Sequence, residues 1–202
     1  MIGQLLEAQQ TPLTDDDLLH GLDEAWPLEL GGSAMHQTIA ILAAQVRLET
    51  GMTHCWRWNI GNVKRYGPWD WQMLKTTEIV DGHPIEVTDA FAAYPDLATG
   101  CQMFLRFQST SRWRDAWHAA LGGDPVGYAK GLGEKPFPYY TSGVAQYTAG
   151  VTRFYAYYLA VLGGASPPRV PDVSDLGIAF LLPDLGAIMD TIPPTPRNDG
   201  SA

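Results

Sequence analysis

The sequence predicts a mainly α-helical domain with one small β-hairpin and a proline-rich C-terminal tail. Three observations carry that prediction. Apolar residues recur at helical spacing in several separate stretches before Gly164. A single strand-turn-strand pattern surrounds Asp81-Gly82. Seven of the 15 prolines then fall after Gly164. A chain of 202 residues that is 46% hydrophobic and only 17% charged has enough apolar material for one domain with a sizeable core.

Residues 1–32 read as an N-terminal extension. Its acidic stretch Thr14-Asp15-Asp16-Asp17 starts a short helix through Leu22, and Leu30-Gly31-Gly32 forms a joint. The domain proper spans residues 33–164, and its first helix organises the rest. Ser33 is the expected N-cap, Met35, Ile39, Leu42 and Val46 form the core-facing stripe, and Gly51 ends the helix in a left-handed conformation. Glu49 continues that stripe, three residues after Val46. A carboxylate there is costly unless paired or protonated, and partial desolvation raises its pKa toward that of a general acid.

A loop follows in which Trp56, Trp58, Trp69 and Trp71 are interleaved with Arg57, Lys64 and Arg65. Aromatic faces pack against the axial C–H groups of pyranoses, so four Trp so near Glu49 suggest a substrate-facing wall. Asn59 and Gly61 would place backbone groups near a sugar. Residues 76–80 and 85–88 form the hairpin, with Asp81-Gly82 at the turn. Alternation puts Glu78 and Val80 on one face, and Glu86, Asp89 and Asp70 are lesser carboxylate candidates.

From Asp96 the pattern is helical again. Leu97, Cys101, Phe104 and Leu105 make one stripe. Trp113, Trp117, Ala120 and Leu121 make another, capped by Ser111 and ended by Gly122-Gly123. Asp124-Pro125 is a cap followed by proline at the first helical position, which starts a short helix over residues 126–132. After a loop containing Tyr139 and Tyr140, the last helix carries Val144, Tyr147, Val151, Phe154, Tyr155, Tyr158 and Leu162. Residues 165–202 form the tail, with one apolar island at 176–189 suited to docking on this domain or on a larger assembly.

The order Ala44-Gln45, Leu48-Glu49-Thr50-Gly51, then Trp58-Asn59-Ile60-Gly61-Asn62-Val63-Lys64 resembles bacterial endo-β-N-acetylglucosaminidases of the lysozyme-like superfamily, the autolysin and flagellar-rod hydrolase type. Members typically show Ala-Gln-X-X-Leu-Glu-Ser/Thr-Gly followed by Asn-X-X-Gly-(Ile/Val)-Lys. Thr77-Glu78, Phe91-X-X-Tyr94 and Tyr139-Tyr140-Thr141 follow in the family's order, so the similarity covers roughly residues 33–160. The resemblance implies a lysozyme-like α+β fold and hydrolysis of β-1,4 bonds in peptidoglycan. It makes Glu49 the catalytic acid, matches Glu78 to a second carboxylate, and puts Tyr139 or Tyr140 in the active site. Trp58, Asn59, Gly61, Trp69 and Tyr94 would face substrate. The substrate's own N-acetyl group could replace Glu78 in the chemistry. A muramidase or lytic transglycosylase, which works with one Glu, is the nearest alternative. From another class, the chain could be an inactive wall-binding subunit of a larger assembly.

Net charge of −9 without a Lys/Arg run argues against nucleic acid as a partner. No apolar run approaches the ~20 residues of a membrane span. The first residues, Met1-Ile-Gly-Gln-Leu-Leu-Glu-Ala, lack a basic n-region and a long apolar h-region, so delivery to the wall by lysis, an injection machine or a particle such as a phage tail is expected. The residues point to no cofactor, and five scattered histidines show no metal-ligand spacing. Cys55 and Cys101 are either buried thiols or a single disulfide.

Overall fold

The computed structural model describes residues 3–51, 54–80, 83–133, 140 and 143–169. Its elements in chain order are β1 (Gln10–Pro12), α1 (Asp15–Glu29), α2 (His36–Thr50), β2 (His54–Trp56), β3 (Asp70–Val80) and β4 (His83–Ala93), then α3 (Leu97–Gln108), a one-turn 3-10 helix (Ser111–Trp113), α4 (Arg114–Leu121), α5 (Pro125–Leu132) and α6 (Val144–Leu162). The expected mainly α architecture with a small hairpin is what the chain adopts.

Helix α2 is the axis of the fold. Every residue from Thr38 to Leu48 is buried, so the helix is enclosed all round and not along one stripe only. It packs along α6, with α1 and α4 against its other sides. Gly51 ends it in the left-handed region at φ 69°, as its lack of a Cβ allows. Its start differs from expectation. Gly31 and Gly32, both at positive φ, make the corner, and the N-cap is Met35 without a side-chain bond. Ser33 is left exposed in the corner and caps nothing.

Helix α1 begins where the acidic stretch predicts. The Thr14 hydroxyl accepts from the Asp17 N–H and Asp17 bonds back, a reciprocal capping box. The helix then runs on through Glu29, past both Leu22 and Pro27. Pro27 removes a bond to the Asp23 carbonyl, but both residues lie on the exposed face, where water can serve that carbonyl. On the other face Leu18, Leu22, Ala25 and Trp26 are buried in the same core as α2. Residues 15–29 therefore share one buried core with α2 and residues 97–108.

Strands β3 and β4 pair antiparallel from Asp70↔Ala93 to Val80↔His83, a longer hairpin than the local pattern marks out. Its turn, Asp81-Gly82, lies outside the described residues, as do Tyr139, Thr141 and the tail from residue 170. Strand β1 pairs antiparallel with β2, matching Thr11 with Cys55. The chain just before β1 runs beside β3, where the Leu6 N–H donates to the Trp71 carbonyl at 2.7 Å and the Trp71 N–H to the Gln4 carbonyl at 3.0 Å.

Ser111 does not cap α4. Residues 111–113 form the 3-10 turn, and Trp113 is drawn into the core edge-on to Phe107. Asp124 does cap α5, accepting from the Val126 and Gly127 N–H groups, with Pro125 at the first helical position. Gly131 lets α5 approach α4, since a Cβ there would meet the Ala116 nitrogen at 2.6 Å. Cys55 and Cys101 are free thiols and both are buried. Among the described residues no helix is long and apolar enough to cross a membrane.

Candidate active site

Glu49 occupies the last turn of α2, and that turn is held from three sides. The Gly51 N–H donates to the Arg47 carbonyl at 3.1 Å, the Thr50 hydroxyl donates to the Val46 carbonyl at 2.9 Å, and the Asn62 amide donates to the Glu49 carbonyl. Asn62 sits at φ 48°, a left-handed conformation that asparagine tolerates. Its side-chain amide adds a clasp that glycine, the usual residue at such a φ, could not supply.

The Glu49 side chain keeps some accessible surface while most of its carboxyl is enclosed. Burial raises its pKa to about 8, against the opposing pull of a hydrogen bond from Tyr147. That hydroxyl donates to Oε1 at 3.0 Å, leaving Oε2 to carry the proton. Among the described residues no ion pair reaches Glu49. Arg47, two residues earlier, points to the opposite side of the helix, where it pairs with Asp15. At neutral pH the carboxyl is therefore mostly protonated, the state a proton donor needs.

Tyr147 is itself fixed. It stacks on Tyr140 with ring centroids 3.7 Å apart and planes 10° from parallel, and the Tyr140 hydroxyl donates to the Ala129 carbonyl of α5 at 2.9 Å. One helical turn before Glu49, Gln45 accepts from the Tyr128 hydroxyl, whose pKa is pushed up by burial and by the Glu49 charge. Tyr147→Phe should remove the contact that favours the charged carboxylate. The Glu49 pKa then rises further, and the alkaline limb of any Glu49-dependent activity should move to higher pH with turnover lower by roughly tenfold. A pH-rate profile superimposable on that of the parent protein would dismiss the contact.

Tyr147, the residue that touches the acid, reads in the sequence only as part of the α6 core stripe. Tyr140 reaches Glu49 through Tyr147 alone, because its own hydroxyl is engaged on α5. Of the aromatic candidates, Trp58, Trp69 and Tyr94 come together, with Trp69 edge-on to Tyr94 at 5.6 Å. The Asn59 side chain works inside the fold. It is buried, its amide donates to the carbonyls of Val63 and Ala92 at 2.8 and 3.0 Å, and its Oδ1 accepts from the Val63 N–H. Its side chain ties the loop to the hairpin, with both amide hydrogens engaged. Gly61 is buried against Phe104, where a Cβ would come within 2.7 Å of the ring. Glu78 is placed by backbone register only, opposite Ile85 near the hairpin tip. Glu86 pairs with Lys75 on the surface, and Asp89 pairs with the buried Lys64 at 2.6 Å. Among the described residues no group of His, Cys, Asp and Glu is placed to hold a metal ion.

Behind the site lies a network that spacing does not announce. Arg47, 2% exposed, donates from Nε to Asp15 Oδ1 at 2.8 Å and to the Tyr158 hydroxyl at 2.6 Å, and from Nη1 to the Leu13 carbonyl at 3.2 Å. Tyr157 and Tyr158 donate to the two Asp15 oxygens at 2.9 and 2.6 Å. Burial alone would raise the Asp15 pKa, but the Tyr158 hydrogen bond and the Arg47 charge outweigh it and hold it below the usual carboxylate value. The network locks the start of α1 and the end of α6 to α2, two residues from Glu49.

No protein-family model matches the sequence, and no curated protein matches it either. Among solved structures, the chain is similar to a peptidoglycan hydrolase mutant from Sphingomonas sp. A1, with 19% identity and a TM-score of 0.50 over 69% of this chain and 89% of that one. It is also similar to the catalytic domain of the autolysin Auto from Listeria monocytogenes, with 13% identity and a TM-score of 0.51 over 71% and 81%. At these identities the likeness is one of fold, and it agrees with the mainly α architecture with a small β-hairpin expected from the sequence.

Proposed function

We propose that this protein is a glycoside hydrolase of the bacterial cell wall, cleaving β-1,4 bonds of peptidoglycan with Glu49 as general acid. The observation that carries the reading is the Glu49 carboxyl itself. It is enclosed, unpaired by any cation among the described residues, held by Tyr147, and poised with a pKa of about 8 at the end of a rigid helix. A leaving alkoxide of a sugar needs a proton as the glycosidic bond breaks and the ring gains oxocarbenium character. A carboxyl protonated at neutral pH can give it, and the Glu49 left behind is anionic beside the cationic ring. The fold shared with a peptidoglycan hydrolase and an autolysin catalytic domain agrees with that substrate.

The N-acetylglucosaminidase specificity rests on the motif resemblance around Glu49 and Lys64. Mass spectrometry of purified peptidoglycan after incubation tests it directly. New reducing GlcNAc ends are expected. New reducing MurNAc ends or anhydro-sugars would reassign the bond, and an absence of products would point to a binding subunit.

Glu78 on β3 is proposed to activate the water. Glu78→Gln keeps the shape and removes the charge, and turnover should fall by about 10²-fold or more. Near-normal turnover would instead assign the assistance to the substrate's own N-acetyl group.

A further inference from the structure

A cavity of about 220 Å³ opens between the N-terminal segment, the loop after β2 and the root of the hairpin, and neither Glu49 nor Tyr147 lines it. Its walls include Gln9 and Thr11 from the N-terminal segment, Arg57 and Trp58 from the loop, and Asp70 and Tyr94 from the hairpin. Ligand sites for drug-sized molecules run from about 300 to 1,000 Å³, so this space suits a single ring.

The chain invests in the shape of this corner. Arg57 and Trp58 are consecutive non-glycine residues at φ 44° and 56°, a left-handed conformation that such residues rarely adopt. Surrounding bonds impose it. The Arg57 N–H donates to the Gln9 carbonyl at 2.9 Å, the Tyr94 N–H to the Arg57 carbonyl at 3.0 Å, and the Trp58 N–H to the Thr11 hydroxyl at 3.3 Å. Gly100 of α3 makes room for the Trp58 carbonyl, which a Cβ would meet at 2.1 Å. The effect is to set Trp58 and Tyr94 on the cavity wall together with one cation, one carboxylate and one amide.

We propose that this cavity is a saccharide subsite taking one uncharged N-acetylated hexose ring. The half-buried Trp58 ring suits the C–H face of a pyranose, and the buried Tyr94 backs the wall. Asp70, Arg57 and Gln9 offer acceptors and donors to its hydroxyl and acetamido groups. Arg57 and Asp70 balance each other in charge, so the cavity favours a neutral ligand over a phosphate or a free carboxylate. The loop that supplies Arg57 and Trp58 also reaches the Glu49 backbone carbonyl through Asn62. The proposal rests on the glycosidase reading, and it gives the N-terminal segment a share in substrate binding.

The test uses the full chain carrying Glu49→Gln, so that ligand is not consumed, and the β-1,4 trisaccharide of N-acetylglucosamine as probe in titration calorimetry. Adding Trp58→Ala should weaken binding by tenfold or more. Adding Asp70→Ala, which leaves the aromatic wall in place, should weaken it about threefold to tenfold. Thermal melts accompany both, and if Trp58→Ala unfolds, Asp70→Ala decides. Unchanged trisaccharide affinity in the folded variants overturns the subsite, even if the parent enzyme digests peptidoglycan. Cavity-dependent trisaccharide binding by a parent that releases no wall fragments keeps the subsite and sinks the hydrolase reading instead. Displacement of the trisaccharide by a free stem peptide would also overturn the assignment to sugar.

Discussion

Glu49→Gln is expected to abolish wall hydrolysis while leaving the fold intact. Glutamine is nearly isosteric and can still accept from Tyr147, yet it has no proton to give a leaving sugar. General acids contribute about 10²–10⁴-fold, so residual release of reducing ends should be close to background. Stability should respond in a pH-dependent way. A carboxyl whose folded pKa is raised from 4.5 to about 8 stabilises the native state fully below pH 4.5 and loses that contribution as pH rises through 8. Wild type and variant should therefore melt at similar temperatures near pH 4. Above pH 8 the variant should be more stable, by an amount on the order of a few kcal/mol. Activity of the parent should decline over the same alkaline range, as the acid loses its proton. A Glu49→Gln protein that still cleaves would end the glycosidase assignment as argued, and one that fails to fold would make Glu49 a structural residue.

Asp15→Ala is expected to give the largest loss of stability. It leaves the Arg47 guanidinium buried without its carboxylate, and breaking such a pair by removing one partner costs about 3–5 kcal/mol. For a chain of this size that corresponds to a fall in Tm of roughly 6–20 °C at pH 7. The pH dependence runs opposite to that of Glu49. The Asp15 pKa is depressed, so its contribution is present above 3.8 and disappears as pH falls through the lower native value. Asp15→Asn should accordingly differ most from wild type at neutral pH and converge with it in acid. Taken together, the two groups place their joint stability maximum between 3.8 and 4.5. An unchanged Tm for Asp15→Ala at pH 7 would show that water, not Asp15, serves Arg47.

What the sequence discloses here is whatever depends on near neighbours. The Glu49-Thr50-Gly51 helix end, the Asp124-Pro125 cap and the α6 stripe are local signals, and each is where the residues put it. Ser33 and Ser111 misled because capping depends on how the chain enters a helix. A glycine corner takes one out of position, and a tryptophan drawn into the core takes the other. Helix α1 outran its expected end because burial of Ala25 and Trp26 outweighed Pro27. The pairing of β1 with β2 joins residues 44 apart in sequence, and no local pattern encodes that. The same holds for Tyr147, which periodicity places correctly on the core face of α6 without showing that Glu49 is what it meets. Asn59 was recognisable as a motif residue, but its role as an internal brace appears only when the carbonyls of Val63 and Ala92 converge on it.

The two buried thiols have a consequence for how the core responds to redox conditions. The thiolate is the form that oxidises or exchanges, and burial, with Cys55 beside it, pushes the Cys101 pKa to about 12, so only about one molecule in 10⁵ is ionised there at pH 7. Burial likewise raises the pKa of Cys55, whose sulfur rests 3.1 Å from the Thr11 hydroxyl. Neither thiol is bonded to the other, and the core closes without a covalent crosslink. The core around these two residues therefore does not depend on a disulfide between them, and a thiol reductant should leave the melting temperature unchanged.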